Sequence, residues 1–139
     1  GVEKNNLINY IKKHGLTKNV YINDFTNNPY NIIRQSNLFI LSSKYEGLPN
    51  VLLEVATLKK FIISTKCPTG PKEILLNGKG GLFFKIGDHK DLANKIIFYN
   101  SNKYKLNSKI NLTFKNLKRF DYKSNLIKYS KIVEKYLLS

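Results

Sequence analysis

The chain has 139 residues, of which 42% are hydrophobic, and this length and apolar content suit a single domain with a core. The formal charge of +15 attracts phosphates, but the only arginines are Arg34 and Arg119, and base readout favours arginine. A dedicated nucleic-acid role is therefore disfavoured, whereas peripheral contact with an anionic membrane surface stays open. The single cysteine, Cys67, permits no intramolecular disulfide, and no apolar run approaches the roughly 18 residues of a membrane helix, so we expect a cytoplasmic protein.

The amino-terminal third of the chain predicts a helix, a strand and a second helix. Apolar residues recur at helical spacing over residues 5–14, and Gly15 ends the pattern. The run Val20-Tyr21-Ile22 predicts a short strand within residues 19–24, and residues 29–35 predict a brief helix. The next apolar run, residues 38–41, predicts a short buried strand.

The rest of the chain continues the alternation of strands and helices. Further elements are predicted as a helix after Pro49, a strand at residues 61–65, a turn at residues 67–71, a helix at residues 72–76, a strand at residues 82–84 and a helix capped by Asp88. This order indicates an α/β fold with a parallel sheet and flanking helices.

The carboxyl-terminal part has a different composition. From residue 101 onward lysine and asparagine dominate, and Leu126, Tyr129 and Val133 recur at helical intervals. We expect an amphipathic helix that begins near Asp121. Its apolar stripe has two open interpretations, namely ordinary packing on this chain's core or contact with a partner.

Two glutamates, Glu46 and Glu54, enclose a short and nearly apolar segment. A helix after Pro49 has almost no polar face, so we expect it to be buried together with the Glu54 carboxylate. A buried carboxylate needs hydrogen-bond donors, which protein N–H groups or ligand hydroxyls can provide. The free N–H groups at the helix start attract anions, so a phosphate is well placed there. The alternatives are that Glu46 only caps the helix and that Glu54 pairs with a lysine.

Residues 38–54 read LFILSSKYEGLPNVLLE and resemble the core of the family-four retaining glycosyltransferases, with the motif of two glutamates separated by seven residues complete. Further matches follow in the family's order over about the first 98 residues: Asn28-Pro29-Tyr30, the run CPTGPKEIL at residues 67–75, Gly80-Gly81-Leu82-Phe83 and Gly87-Asp88.

The resemblance implies a GT-B enzyme, in which two Rossmann-like domains face a cleft and a sugar moves from a nucleotide sugar with retention at the anomeric carbon. This chain corresponds to the C-terminal, donor-binding domain, with the first two strands of its sheet, two diphosphate-neutralising cations and the N-terminal acceptor domain missing. In the strand order 3-2-1-4-5-6, that loss separates residues 20–22 from the sheet and leaves an unpaired edge on residues 38–41.

The resemblance also assigns roles to residues by their position in the motif. Glu46 corresponds to the catalytic glutamate beside the donor sugar, and Glu54 to the residue that hydrogen-bonds the ribose hydroxyls. The main chain at Asp24 and Phe25 lies where the family holds the nucleobase. The other donor-binding positions are Gly47, Leu48, Pro49, Asn50, Val51 and Leu52. No metal or other cofactor is expected, because His14 and His89 lack companions at ligand spacing.

We therefore expect a partial Rossmann-like nucleotide-sugar-binding domain at residues 1–100 and a C-terminal helical tail at residues 101–139. The expected reaction is transfer of a hexose or N-acetylhexosamine, from a UDP-linked donor, to a glycan or lipid-linked acceptor in polysaccharide or lipopolysaccharide biosynthesis. The resemblance adds the inner face of the cytoplasmic membrane as a peripheral location. By itself the chain is expected to bind but not to catalyse. The alternatives are a truncated non-catalytic remnant or interaction module, and a nucleotide-sugar 2-epimerase.

Overall fold

The computed structural model describes residues 2–137, so that residues 1, 138 and 139 of the two predicted units lie outside the described residues. Six α-helices, three strands and two short 3-10 turns follow one another along this part of the chain. They are α1 (Lys4–Lys13), α2 (Tyr30–Gln35), β1 (Leu38–Leu41), α3 (Asn50–Thr57), β2 (Phe61–Thr65), α4 (Pro71–Ile74), a turn at Leu76–Gly78, β3 (Leu82–Phe84), α5 (His89–Asn116), a turn at Leu117–Phe120 and α6 (Tyr122–Leu137).

The three strands form a parallel sheet in the order β1-β2-β3, with Leu38 opposite Phe61 and Ile63 opposite Leu82. All five residues of β2 are buried because helices cover both faces of this central strand. Ile62 packs with α3 on one face, whereas Phe61 and Ile63 pack with α5 on the other. The predicted α/β fold with a parallel sheet and flanking helices is confirmed.

Strand β1 has the predicted bounds but not the predicted burial. Ile40 is 37% exposed, and the other three residues of β1 are only partly buried. The physical reason is position, because β1 lies at an edge of the sheet and pairs only with β2 within the part of the chain that the structure describes. The expected unpaired edge is present there.

The strand predicted at residues 20–22 does not form, and this prediction was wrong. Val20 is 41% exposed and Tyr21 is 75% exposed. The Val20 N–H donates to the Leu16 carbonyl, which is a local hydrogen bond of a turn and not a hydrogen bond between strands. Three apolar residues need a neighbouring strand to take up their backbone groups, and no described strand pairs with them. As expected, this segment lies outside the sheet.

The two long helices define the carboxyl-terminal part. Helix α5 begins at the predicted cap, since the Asp88 carboxylate accepts a hydrogen bond from the Asp91 N–H at 2.9 Å. It continues through the predicted unit boundary at residue 100 and has a non-helical backbone at Asn102. The division into two units stays a prediction. Helix α6 buries none of its described residues, so core packing of its apolar stripe was the wrong interpretation. Within residues 2–137, no helix is both long and apolar enough to cross a bilayer.

Candidate functional site

The segment between β1 and α3 carries Glu46 and lies at the carboxyl edge of the sheet, where ligands of α/β sheets bind. We call residues 42–49 the donor loop, after the role that the resemblance assigns to them. Pro49 is buried and extended, and α3 begins immediately after it without a side-chain cap. The N–H groups of Asn50 and Val51 meet no protein acceptor within the described residues, whereas the Leu52 N–H donates to the Pro49 carbonyl at 2.9 Å. The start of α3 is therefore open to an anion.

The turn after β2 holds the donor loop in place. The Thr69 hydroxyl donates to the Glu46 carbonyl at 2.7 Å. Gly70 has a left-handed backbone with φ of 59°, and a Cβ there would overlap the Gly47 carbonyl oxygen and lie 2.7 Å from Cδ of Pro49. The turn therefore fixes the main chain on both sides of the motif glutamate. The sequence treated these residues only as a turn, and the Gly70-Pro71 pair was the one signal of a tight approach.

A second group of contacts fixes the start of the donor loop. The buried Thr65 hydroxyl donates to the Ser43 carbonyl at 2.6 Å, and the Cys67 thiol lies 3.3 Å from the same oxygen. Cys67 also lies 3.6 Å from the Lys44 carbonyl oxygen. This thiol is fully buried and bonded, so it has a structural role and is not placed as a nucleophile.

The two motif glutamates are half-buried, and their carboxylates have no hydrogen-bond or ion-pair partner among the described residues. Glu54 was predicted to be buried, and that was wrong, because only Leu52, Val55 and Ala56 of α3 are covered and the helix lies at the rim of the core. Both alternatives drawn from the sequence are also wrong. Glu46 does not cap α3, and neither carboxylate forms a hydrogen bond or ion pair with any residue from 2 to 137.

The two residues predicted to hold the nucleobase, Asp24 and Phe25, lie next to α1. Phe25 is 91% exposed, and Asp24 pairs with Lys4 of α1. They line a cavity of about 250 Å³ beside α1 that includes none of the donor-loop residues. Leu48 is exposed at the surface of the donor loop. Among residues 2–137, no three His, Cys, Asp or Glu side chains come close enough to hold a metal ion.

The match to known proteins covers most of the chain. Residues 1–116 match the family model described as glycosyl transferases group 1. This chain belongs to that family. The resemblance drawn from the motif is thereby confirmed at the level of group 1 glycosyltransferases, while the retaining subclass and the incomplete amino-terminal side stay predictions.

Two curated relatives and one solved structure extend this assignment. The O-antigen biosynthesis glycosyltransferase WclY of Escherichia coli is 29% identical over 132 residues, which are 95% of this chain and 36% of that protein. An uncharacterized glycosyltransferase of Methanocaldococcus jannaschii is 45% identical over 75 residues, which are 54% of this chain and 18% of the relative. HepE of Anabaena, solved in complex with UDP, superposes with a TM-score of 0.85 at 20% identity over 94% of this chain and 36% of HepE. The chain thus spans about a third or less of the length of these proteins, and the structural match shows the shared fold.

Proposed function

We propose that this chain is the donor-binding part of a retaining glycosyltransferase that uses a UDP-linked hexose or N-acetylhexosamine. The main support is the donor loop and the start of α3, where the carboxylates of Glu46 and Glu54 and the N–H groups of Asn50 and Val51 have no protein partner among the described residues. These groups are complementary to a nucleotide sugar, whose hydroxyls donate and whose diphosphate accepts hydrogen bonds.

Each group has a role in the proposed reaction. The N–H groups of Asn50 and Val51, with the partial positive charge at the start of α3, stabilise the diphosphate as it leaves, and preorganised donors of this kind are worth about 3 kcal/mol each. Glu54 lies one turn further along α3 and accepts hydrogen bonds from the ribose hydroxyls. Glu46 positions the sugar while its anomeric C–O bond to the diphosphate breaks and the acceptor oxygen forms the new C–O bond on the same face. The proton of the acceptor hydroxyl passes to the departing diphosphate oxygen. The nucleobase rests on the main chain at Asp24 and Phe25.

The proposed acceptor is a glycan or a lipid-linked glycan, in polysaccharide or lipopolysaccharide biosynthesis. This part of the proposal is supported by WclY, which is named for O-antigen biosynthesis. The proposed location is the cytoplasm, in peripheral contact with the inner face of the cytoplasmic membrane, and the formal charge of +15 supports contact with that anionic surface. The proposed chemistry needs no metal, because the leaving-group contacts come from the backbone N–H groups at the start of α3 and from the two cations that the resemblance assigns to the first strand and helix of the donor domain.

The test is calorimetric titration of this chain with UDP, UDP-glucose and UDP-N-acetylglucosamine. Glu54→Gln removes the negative charge of the carboxylate that accepts hydrogen bonds from the ribose hydroxyls. Glu134→Gln on exposed α6 is the matched control with the same change in net charge. We expect the Kd for UDP to rise about tenfold in Glu54→Gln, since hydrogen bonds to charged groups contribute about 1.5–3 kcal/mol, and to stay unchanged in the control. Binding heat that disappears with salt in the same way for all three proteins favours the alternative, a non-catalytic remnant or interaction module.

The 2-epimerase alternative is tested with the intact enzyme and a radiolabelled UDP-N-acetylglucosamine donor. A transferase places the label on an acceptor glycan, whereas an epimerase returns it in a free nucleotide sugar of changed configuration. We expect the labelled sugar in the acceptor fraction. Its anomeric carbon should have the same configuration as in the donor. Label recovered solely as the 2-epimer contradicts the proposed reaction.

A further inference from the structure

Two cavities lie side by side next to α4, outside the donor loop, and have volumes of about 890 and 710 Å³. They share Lys72 and Asn77 as a common wall. The larger cavity is also lined by Lys66, which follows β2, and by Lys85, which follows β3. Both lysines stand at the carboxyl edge of the sheet, the edge that carries the donor loop. We call the two cavities together the lysine trough.

The lysine trough has an excess of positive charge, since two carboxylates, Asp91 and Glu73, line it together with five cations, namely Lys66, Lys72, Lys79, Lys85 and Arg119. The amines of Lys66, Lys72 and Lys85 form no hydrogen bond or ion pair with any residue from 2 to 137. The one carboxylate that lines the larger cavity, Asp91, already accepts from the Lys85 N–H at 3.1 Å and lies 3.5 Å from the Lys95 amine. Three unpaired ammonium groups around one cavity attract a multiply charged anion more strongly than they attract a singly charged carboxylate.

The backbone that frames the trough is fixed. The Lys66 N–H donates to the Phe84 carbonyl at 3.0 Å, which joins the ends of β2 and β3. Leu76 and Asn77 both have a left-handed backbone with φ of 53°, a conformation that is sterically unfavourable for leucine. The turn that contains them is held by the Lys109 amine, which donates to the Gly78 carbonyl at 2.6 Å. Asn77, with two amide donors, therefore stands in a defined position between the cavities.

The trough is continuous with the wall of the donor loop. Thr69 and Gly70 line the smaller cavity, and the same two residues contact the main chain of Glu46 and Gly47. Neither cavity is lined by a residue of the donor loop or of the first turn of α3, so the turn after β2 separates the trough from the donor loop. That position differs from the start of α3, to which the donor diphosphate is assigned.

We propose that the lysine trough binds a phosphate group of the sugar acceptor, a phosphomonoester or phosphodiester, with Lys66, Lys72 and Lys85 as the cationic contacts and Asn77 as a neutral donor. The assignment of this phosphate to the sugar acceptor rests on the proposed function, whereas the existence of an anion site rests on the trough alone. It narrows the acceptor to a phosphate-bearing glycan or lipid-linked glycan.

The test is an amide NMR titration of this chain with inorganic phosphate and, separately, with glycerol phosphate, at constant ionic strength. We expect both to shift the amides of residues 66, 77 and 84–86. The variant Lys66→Gln/Lys72→Gln/Lys85→Gln is compared with the matched control Lys123→Gln/Lys128→Gln/Lys131→Gln on exposed α6. The first triple variant should weaken phosphate binding at least about tenfold with its spectrum otherwise folded, and the control should not. Equal losses in both variants overturn the site, because general charge then accounts for binding.

Two further arms separate this inference from the proposed function. Saturating UDP should leave the phosphate-induced chemical shift changes in place. If UDP instead abolishes these changes, the trough binds the donor diphosphate and the assignment to the acceptor is overturned. Binding of inorganic phosphate without binding of glycerol phosphate also overturns it. Glu54→Gln should weaken UDP and leave phosphate unaffected. If UDP never binds while lysine-dependent phosphate ester binding persists, the proposed function fails and the phosphate site stands.

Discussion

Gly47 and Gly70 face one another where the donor loop meets the turn after β2, yet they tolerate a side chain very differently. A Cβ on Gly47 would meet no atom within 4 Å, whereas a Cβ on Gly70 would overlap the Gly47 carbonyl oxygen. Gly70 also has φ of 59°, which L side chains rarely adopt. The space beside Gly47 is thus open for a ligand, and the space beside Gly70 is occupied by protein.

We therefore predict opposite outcomes for two alanine variants. Gly47→Ala should keep the melting temperature and weaken UDP-sugar binding, because its methyl group enters the space assigned to the donor sugar. Gly70→Ala should lower the free energy of unfolding by about 1–3 kcal/mol, because backbone strain adds to the overlap. Circular dichroism melts and calorimetric titration measure the two effects. A Gly47→Ala protein that binds UDP-glucose as tightly as the parent contradicts the assignment of the sugar to this loop.

At the scale of single residues, the sequence predicted the secondary structure around the motif better than it predicted the burial and contacts of the motif residues. The spacing of Glu46 and Glu54 and the Gly-Leu-Pro-Asn turn are local features, so they predicted a strand, a loop and a helix start that the structure contains. The exposure of Glu54 depends on which distant elements cover α3, and no local pattern encodes that. The Thr69 contact with Glu46 joins residues 23 positions apart and was equally invisible in the sequence.

Among the elements, α6 depends on a single charged cap. The Asp121 carboxylate accepts a hydrogen bond from the Ser124 N–H at 2.8 Å, and this bond lowers the pKa of Asp121 below its ordinary value. A lowered folded-state pKa means that the cap stabilises the helix fully above the unfolded-state pKa, near about 3.9, and is lost as the pH falls through the folded-state value.

We predict that the helix signal of α6 falls on acidification below about pH 4, where the unfolded-state pKa of aspartate lies. Asp121→Asn keeps a neutral cap and should remove this acid-dependent loss for α6, while Asp121→Ala should reduce the helicity of α6 already at pH 7. Residue-resolved NMR chemical shifts of α6 between pH 2.5 and about 7 measure the change. An identical acid profile in the parent and in Asp121→Asn would show that other carboxylates control this helix.

Tyr99 connects α5 to the edge strand. Its hydroxyl donates to the Asn37 carbonyl at 2.7 Å, just before β1, and its ring stacks on Phe61 with centroids 5.0 Å apart. Tyr99→Phe keeps the stacking and removes the hydrogen bond, so we predict a loss of about 1 kcal/mol in the free energy of unfolding, measured by urea denaturation. Tyr104→Phe on the exposed face of α5 is the control and should cost nothing measurable. An equal loss in both variants would remove the special role of the Asn37 contact.

The same contact has a pH dependence of the opposite sign to that of Asp121. Burial raises the pKa of the Tyr99 phenol above its ordinary value. Its contribution to stability is therefore present below the unfolded-state pKa, near about 10, and is lost as the pH rises through the folded-state value.

The strands show how far sequence patterns reach at the level of elements. Residues 38–41, 61–65 and 82–84 were predicted with the bounds that β1, β2 and β3 have, because each is a short apolar run between turn residues. Residues 20–22 have the same composition but no neighbouring strand among the described residues, and they remain irregular. A strand forms only beside another strand that takes up its backbone hydrogen bonds, so composition alone predicts too many strands.

For the whole molecule, the core is concentrated around β2. The fully buried side chains come mainly from β2, α3, α4 and the turn after β2, whereas α1 and α6 bury none of their described residues. Local opening free energies follow buried apolar contact, so the two outer helices should open far more easily than the sheet.

We predict a gradient of amide hydrogen exchange across the chain. Ile62 and Ile63 in β2 should exchange most slowly, at the limit set by global unfolding, and the amides of α1 and α6 should exchange orders of magnitude faster. Exchange followed by NMR at two protein concentrations gives the measurement and its control. Concentration-dependent protection of β1 or α6 would reveal association through the open sheet edge or the exposed apolar stripe. Protection of α6 equal to that of Ile63 at both concentrations would contradict the location of the core, because α6 buries none of its described residues and so lacks the packing that protects β2.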